Sequence, residues 1–127
     1  MTLLSRRHLL LLHELLLAET GGADGIRDEG LLDAALESPY GGWHDEEFYP
    51  GVEAKAARLA FGLVANHPFI DGNKRIGVLA MLVLLDLNGV TLDVTDGELV
   101  RLGMSLAQGE ADTHDVLNWI HEHTARA

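Results

Sequence analysis

The stretch NKRIGVLAMLVLLDLNG, residues 73–89, decides the fold because it is apolar on nearly every side of a helix. A helix of this composition is covered by other helices and does not lie on the surface. The pair Asn88-Gly89 is typical of a left-handed helix end. We therefore predict a central helix over about residues 73–87.

The rest of the chain predicts amphipathic helices that can pack around this centre, since apolar residues recur at helical spacing. Asp28 and either Asp112 or Thr113 stand where a helix N-cap is expected. Thr95-x-x-Glu98 has the form of a capping box, in which the two side chains satisfy each other's backbone N–H groups. The predicted helices cover about residues 5–19, 29–37, 52–66, 73–87, 95–108 and 113 onward.

Length and composition limit the classes of function. A chain of 127 residues suits one domain, and we predict a single all-α domain over 1–127. The net charge of −11, from 20 acidic and 9 basic residues, repels nucleic-acid backbones, so direct nucleic-acid binding is not expected. The sequence contains no cysteine, which excludes disulfides, zinc–thiolate sites and cysteine nucleophiles.

The N-terminal segment resembles an export signal only superficially. Arg6-Arg7 precedes an apolar run, but His13 and Glu14 interrupt that run and no small-residue cleavage site follows. The leucines recur at helical spacing, which favours an ordinary first helix. No stretch approaches the ~20 apolar residues of a membrane span. We therefore expect a cytoplasmic protein with no membrane partner.

The loop HPFIDGNKR, residues 67–75, opens the central helix and has the features of an anion site. Backbone N–H groups at a helix start are unpaired and lie at the positive end of the helix dipole, so they bind phosphate oxygens. Gly72 lets the backbone approach an anion closely because it has no Cβ. Lys74 and Arg75 add positive charge, and the guanidinium of Arg75 can contact two phosphate oxygens at once.

Other side chains of this loop suit catalysis. Asp71 is a hard carboxylate beside the predicted phosphate site, which is how proteins hold Mg²⁺. Histidine titrates near neutral pH, so His67 is a candidate general base for a hydroxyl that attacks phosphorus. Asn73 can either hold the loop shape or donate to phosphate, and Phe69 is expected to anchor the loop in the core. Taken together, the loop predicts transfer of a phosphate-containing group from a nucleotide.

These residues resemble the signature of the Fic/Doc superfamily, H-P-F-x-x-G-N-G-R-x-x-R, and most closely its Doc (death-on-curing) toxin branch. Doc-type members carry a lysine at the position of Lys74, and Asp71 also resembles their pattern. The segment Gly25-Ile26-Arg27-Asp28 looks like the Doc pattern as well. The likeness covers roughly residues 8 to 122 and implies a compact fold of six or seven helices. The signature positions that match are His67, Pro68, Phe69, Gly72, Asn73 and Arg75.

The resemblance implies an activity and its partners. Doc-like enzymes use ATP and Mg²⁺ to phosphorylate a threonine of a translation elongation factor, which arrests protein synthesis. A cognate antitoxin neutralises them by docking a C-terminal helix in a groove beside the site. By this resemblance His67 is the catalytic base and Asp71 the metal ligand. Nucleotide-phosphate contacts are carried over to Gly72, Asn73, Lys74 and Arg75, of which Lys74 and Arg75 also act in catalysis.

One departure bears on the transferred group. Fic proteins with glycine at the Lys74 position transfer AMP, and their second signature arginine would fall here at Val78. Without that arginine the outer phosphates would be held less firmly, which argues against AMP transfer. Lys74 adds bulk and charge where glycine leaves room, so a differently oriented nucleotide is physically reasonable. Transfer of the terminal phosphate is therefore favoured, with AMP transfer as the alternative.

Two further segments bear on target binding and regulation. Residues 40–51 lie where this superfamily has a flap that positions the target, so Trp43, Phe48 and Tyr49 either contact a peptide or cover the core. Residues 20–25 nearly match the self-inhibitory motif of Fic proteins but carry aspartate in place of glutamate. We favour a simple loop there and control by a separate antitoxin.

Other functional classes stay open. His44-Asp45 and His114-Asp115 are similar to the dyad of metal-dependent phosphohydrolases, although such a site needs further ligands on neighbouring helices. His121 and His123 diverge on a helix and are expected to be solvated. A catalytically inactive binding protein is the remaining alternative.

Overall fold

Six α-helices make up most of the chain in the computed structural model, which describes residues 1–125. The last two residues of the predicted domain lie outside the described residues. The six helices confirm the all-α prediction, and their ends lie within one residue of the predicted ends. The helices are α1 (Arg6–Thr20), α2 (Glu29–Glu37), α3 (Val52–Asn66), α4 (Asn73–Leu87), α5 (Asp96–Ala107) and α6 (Thr113–His123).

Helix α4 lies at the centre, as its all-round apolar sequence predicts. It packs against α3, α5 and α1, while α3 also packs against α2 and α6. A short 3₁₀ turn, Ser38–Tyr40, and a small antiparallel hairpin of β1 (Gly42–Trp43) and β2 (Glu46–Glu47) connect α2 to α3. Within residues 1–125, no helix combines the length and apolar character that crossing a membrane requires.

The predicted helix-start signals form real caps. The Asp28 carboxylate accepts from the Leu31 N–H at the start of α2. Thr95 and Glu98 form the predicted capping box of α5, and Asp112 and Asp115 form a second one at α6. These side chains satisfy backbone donors that have no partner within the helix, so they fix where each helix begins.

The two site-bearing helices, α3 and α4, cross closely at a glycine. A Cβ on Gly77 would lie 2.6 Å from Cγ2 of Val64 and 3.2 Å from the carbonyl oxygen of Ala60. Neither neighbour is the flexible end of a long side chain, so a methyl group there requires the helices to move apart. The separation of α3 and α4 determines how far His67, at the end of α3, lies from the start of α4.

We predict that Gly77→Ala destabilises the fold by about 1–3 kcal/mol through overpacking at this crossing. Gly97→Ala is the matched control, because Gly97 is exposed in the first turn of α5 and a Cβ there is in ordinary contact with the guanidinium end of Arg101, at 3.5 Å, and with Oγ1 of Thr95, at 3.9 Å. Helix propensity should leave the control unchanged or slightly more stable. Urea unfolding measures both, and equal stabilities of the two variants would contradict the close crossing.

A histidine–carboxylate pair joins the end of α6 to the start of α5. Nδ1 of His123 lies 2.7 Å from the Trp119 carbonyl oxygen, and Nε2 lies 2.7 Å from Oε2 of Glu98. Both partners can only accept, so the protonated ring donates twice. The Trp119 carbonyl first and Glu98 second raise the pKa of His123, although partial burial opposes them. The prediction that His123 is solvated is therefore wrong, whereas His121 is exposed.

This pair predicts a stability window in pH. The pKa of Glu98 is lowered, mainly by its hydrogen bond with the Thr95 backbone and then by His123. The contribution of Glu98 to stability is therefore lost as pH falls below 4.5, the ordinary pKa of this carboxyl group. The contribution of His123 is lost as pH rises above its ordinary value of 6.5 and passes the raised pKa. Unfolding free energies should therefore differ most between parent and His123→Gln within this window. A difference that grows at alkaline pH would contradict the assignment.

Candidate active site

The loop between α3 and α4 is held in an extended form by the segment that follows α1. His67 ends α3 in a left-handed conformation, with φ of 51°, and Gly72 precedes α4 with φ of 81°. Between them, Phe69 pairs with Ile26 in an antiparallel bridge. The Ile70 N–H donates to the Gly25 carbonyl oxygen over 3.1 Å. The loop therefore has a backbone partner and a defined path.

The Asn73 side chain closes the loop from inside. It is 5% exposed, and its Oδ1 accepts from the Phe69 N–H over 2.9 Å. Its Nδ2 donates to the Phe69 carbonyl oxygen over 2.9 Å and lies 3.1 Å from Nδ1 of His67. Of the two roles left open by the sequence, the side chain therefore has the loop-shaping one. The backbone N–H of Asn73, in the first turn of α4, is the group left for a phosphate.

These contacts determine which nitrogen of His67 carries the proton. The Phe69 N–H fixes Oδ1 of Asn73, so the group facing Nδ1 of His67 is an N–H donor. In the neutral ring Nδ1 accepts and Nε2 carries the hydrogen. A base at Nε2 therefore requires the ring to give up this tautomer first. His67 itself is exposed, so its ring is accessible to a substrate.

Arg27 supports His67 through the end of α3. Its Nε donates to the His67 carbonyl oxygen over 2.6 Å, and its Nη2 donates to the Asn66 carbonyl oxygen over 3.0 Å. The last carbonyls of a helix have no partner within it, so a guanidinium here satisfies them. Sequence reasoning did not assign this role. The available signal was the place of Arg27 in the Gly25–Asp28 segment that looks like the Doc pattern.

Asp71 is exposed and held at one carboxylate oxygen. Its Oδ2 accepts from the Ala23 N–H over 2.7 Å, and its main-chain carbonyl oxygen lies 2.8 Å from Nε2 of His13. Oδ1 has no hydrogen-bond partner within residues 1–125. One free carboxylate oxygen beside an anion site suits Mg²⁺, which takes most of its ligands from water and phosphate.

The start of α4 presents unpaired donors and cations. The first hydrogen bond of the helix runs from the Ile76 N–H to the Gly72 carbonyl oxygen, over 2.8 Å. The N–H groups of the three residues before Ile76 precede that bond and have no partner within the helix. Lys74 and Arg75 are exposed, and neither forms an ion pair with any residue in the described part of the chain. The arrangement can bind an anion with several negative oxygens.

The predicted flap contains the short hairpin, and α3 anchors it. The ammonium of Lys55, whose side chain is 5% exposed, donates to the Tyr49 carbonyl oxygen over 2.6 Å and lies 3.0 Å from Oε1 of Glu47. Trp43 and Phe48 are 69% and 63% exposed. The alternative in which these two aromatics cover the core is therefore wrong, while Tyr49 is half-buried.

The competing motifs have local structural roles. His44 and Asp45 form the turn of the hairpin with φ of 49° and 65°, and Asp115 belongs to the capping box of α6. Among residues 1–125, no three His, Asp or Glu side chains group together so that they could hold a metal ion. Oδ1 of Asp24 accepts from the Gly25 N–H, as expected for a simple loop.

The fold and the site define a small helical domain with a loop of backbone donors, cations and one exposed carboxylate at the start of its central helix. The chain belongs to the Fic/DOC family, whose model matches residues 3–85. It is also similar to the protein named Toxin Doc of Mycolicibacterium smegmatis, with 43% identity over 72 residues. That match covers 57% of this chain and 55% of the mycobacterial protein, so the chain spans about half the length of this curated relative.

We predict that Asn73→Ala loosens the whole loop. The substitution leaves the buried Phe69 N–H and carbonyl without partners, at a cost of about 1–3 kcal/mol each. Asn118→Ala, at an exposed position of α6, is the control and should leave stability unchanged. Chemical denaturation measures the difference. The ¹⁵N shifts of the His67 ring provide a second readout, since the neutral ring of the parent should carry its hydrogen on Nε2, and a neutral ring with its hydrogen on Nδ1 would contradict the hydrogen-bond assignment.

Proposed function

We propose that this chain is the toxin of a toxin–antitoxin module and that it transfers the terminal phosphate of ATP to a Ser or Thr hydroxyl of a protein. One observation carries the proposal: the unpaired N–H groups of α4, the exposed Lys74 and Arg75, and the free Oδ1 of Asp71 meet at one loop beside His67. A nucleoside triphosphate with a divalent cation matches this set of donors and charges. Family membership and the similarity to a protein named Toxin Doc support the toxin role.

Each residue of the loop has a distinct proposed role. The backbone N–H groups of Gly72 and of the first turn of α4 bind phosphate oxygens, and Lys74 and Arg75 neutralise charge that develops during transfer. Asp71 would hold Mg²⁺ through Oδ1, and the ion would neutralise phosphate charge. His67 takes the proton of the attacking hydroxyl at Nε2, after the ring hydrogen has moved to Nδ1 and the contact between Nδ1 and Asn73 has opened. The hydroxyl oxygen attacks the γ-phosphorus while the bond from that phosphorus to the bridging oxygen breaks, and ADP is the leaving group.

The surroundings of Val78 favour the terminal phosphate over AMP as the transferred group. Val78 is 7% exposed, and its Cγ2 lies 3.5 Å from the point where a Cβ on Gly103 of α5 would sit. Position 78 therefore carries no cation that could hold the outer phosphates. AMP transfer to a target would favour an arginine at this position. Lys74 and Arg75 are the cations available at this end of α4. AMP transfer is the second candidate, because the same loop chemistry also suits attack at the α-phosphorus.

The exposed apolar side chains suit the proposed partners. Trp43 and Phe48, on and beside the hairpin, are available to contact a target, for which we propose a translation elongation factor in the cytoplasm. Leu11 and Leu15 are 52% and 57% exposed, one turn apart on α1, the helix that contacts the loop through His13. An apolar surface on one helix suits an amphipathic partner helix, and we propose the C-terminal helix of a cognate antitoxin.

The direct test is incubation of the full chain with Mg²⁺, a bacterial lysate and ATP labelled at either the γ- or the α-phosphate. Protein labelling from γ alone is expected, whereas labelling from α alone would establish AMP transfer and refute phosphate transfer. Labelling from neither position would contradict both activities. Phosphate release without a labelled protein would instead favour a metal-dependent phosphohydrolase.

His67→Ala should lower labelling about 10²- to 10⁴-fold, the usual contribution of a general base. His121→Ala is the matched control, because His121 is an exposed histidine on α6, outside the loop. Equal labelling by parent and His67→Ala, at equal folded concentration, would refute the role of His67 as base.

A further inference from the structure

Behind the loop lies a buried histidine to which the proposed reaction assigns no role. His13 of α1 is 2% exposed, and its ring stacks on Phe69 with centroids 3.8 Å apart and planes 14° apart. Its Nε2 lies 2.8 Å from the main-chain carbonyl oxygen of Asp71. A carbonyl oxygen only accepts, so Nε2 of His13 carries the hydrogen.

We infer that His13 is a positioning residue that locks the peptide between Asp71 and Gly72 in the orientation that an anion requires. This inference rests on the proposed function, because the anion is the nucleotide phosphate. In a trans peptide the C=O and the N–H point in opposite directions, and no peptide bond in the described residues is cis. With the Asp71 carbonyl turned toward His13, the Gly72 N–H points away from the buried ring.

The hydrogen bond from His13 matters because the peptide could flip without it. Rotating it by half a turn changes ψ of Asp71 and φ of Gly72, and glycine accepts φ on either side of zero. The flipped peptide would present a carbonyl oxygen where the phosphate needs a donor. A hydrogen bond from Nε2 of His13 stabilises the orientation with φ of 81° at Gly72, and the flipped orientation would leave this buried donor unpaired.

The same contact helps to aim the Asp71 side chain. Its backbone is fixed by His13, and its Oδ2 is fixed by the Ala23 N–H over 2.7 Å. Two anchors, from α1 and from the segment just after it, leave Oδ1 as the oxygen free for a cation. A Cβ on Gly72 would lie 3.5 Å from Nε2 of His13, so the loop packs directly on the ring.

Two variants separate the donor from the packing. His13→Phe keeps an aromatic ring against Phe69 but removes the N–H, whereas His13→Gln keeps an N–H donor and loses the ring. We expect His13→Phe to weaken binding of ADP with Mg²⁺ by about tenfold to a hundredfold. This is the value of the hydrogen bond that the Gly72 N–H donates to the charged phosphate and loses when the peptide flips. His13→Gln should recover most of that affinity, although it loses the stacking on Phe69. Calorimetric titration of the full-length folded variants measures both.

A structural readout keeps this inference distinct from the proposed function. In the free parent protein, the His13 Nε2 hydrogen should give a slowly exchanging, downfield proton resonance. The nuclear Overhauser effect between the Asp71 Hα and the Gly72 amide proton depends on ψ of Asp71, so it should change in His13→Phe but stay near the parent in His13→Gln. Absence of nucleotide binding by the parent would sink the proposed function alone. Equal Asp71–Gly72 Overhauser effects in all three proteins, or weaker nucleotide binding by His13→Gln than by His13→Phe, would overturn the positioning role.

Discussion

The hydrogen bonds of the Asn73 side chain are the interaction on which the candidate site depends. One buried amide satisfies both backbone groups of Phe69 and contacts the His67 ring, so it links the end of α3 to the start of α4 across the loop. Phe69 then anchors the loop in the core, and Asp71 is left exposed between the anchor and the helix. Deforming this link would displace His67 and the start of α4 together.

The proposed nucleotide site meets the negative field of the protein with backbone donors. A protein with a net charge of −11 repels a nucleotide at long range, and only short-range donors can overcome this. The unpaired N–H groups of α4 provide fixed positive dipoles that need no counter-charge, and Lys74 and Arg75 add charge without forming ion pairs in residues 1–125. Preorganised donors of this kind cost little to align during reaction, provided that the peptides carrying them keep their orientation.

Local signals were readable from the sequence, and long-range contacts to the backbone were not. The apolar pattern of α4 and capping residues such as Asp28 predict the helices, because their partners lie within one turn. His13 and Arg27 bond to backbone carbonyls 58 and 40 residues away, and every residue type offers a carbonyl, so no sequence pattern identifies such pairs. His123 was missed for a similar reason, since its partner Glu98 lies on another helix.

A crystal structure with a non-hydrolysable ATP analogue and Mn²⁺ tests whether nucleotide phosphates bind at the start of α4 with a cation on Asp71. We expect phosphate oxygens within hydrogen-bond distance of the Gly72 and Asn73 N–H groups, the terminal phosphate nearest to His67, and an anomalous Mn²⁺ peak at Oδ1 of Asp71. A nucleotide bound elsewhere, or an anomalous peak away from Asp71, would contradict this arrangement.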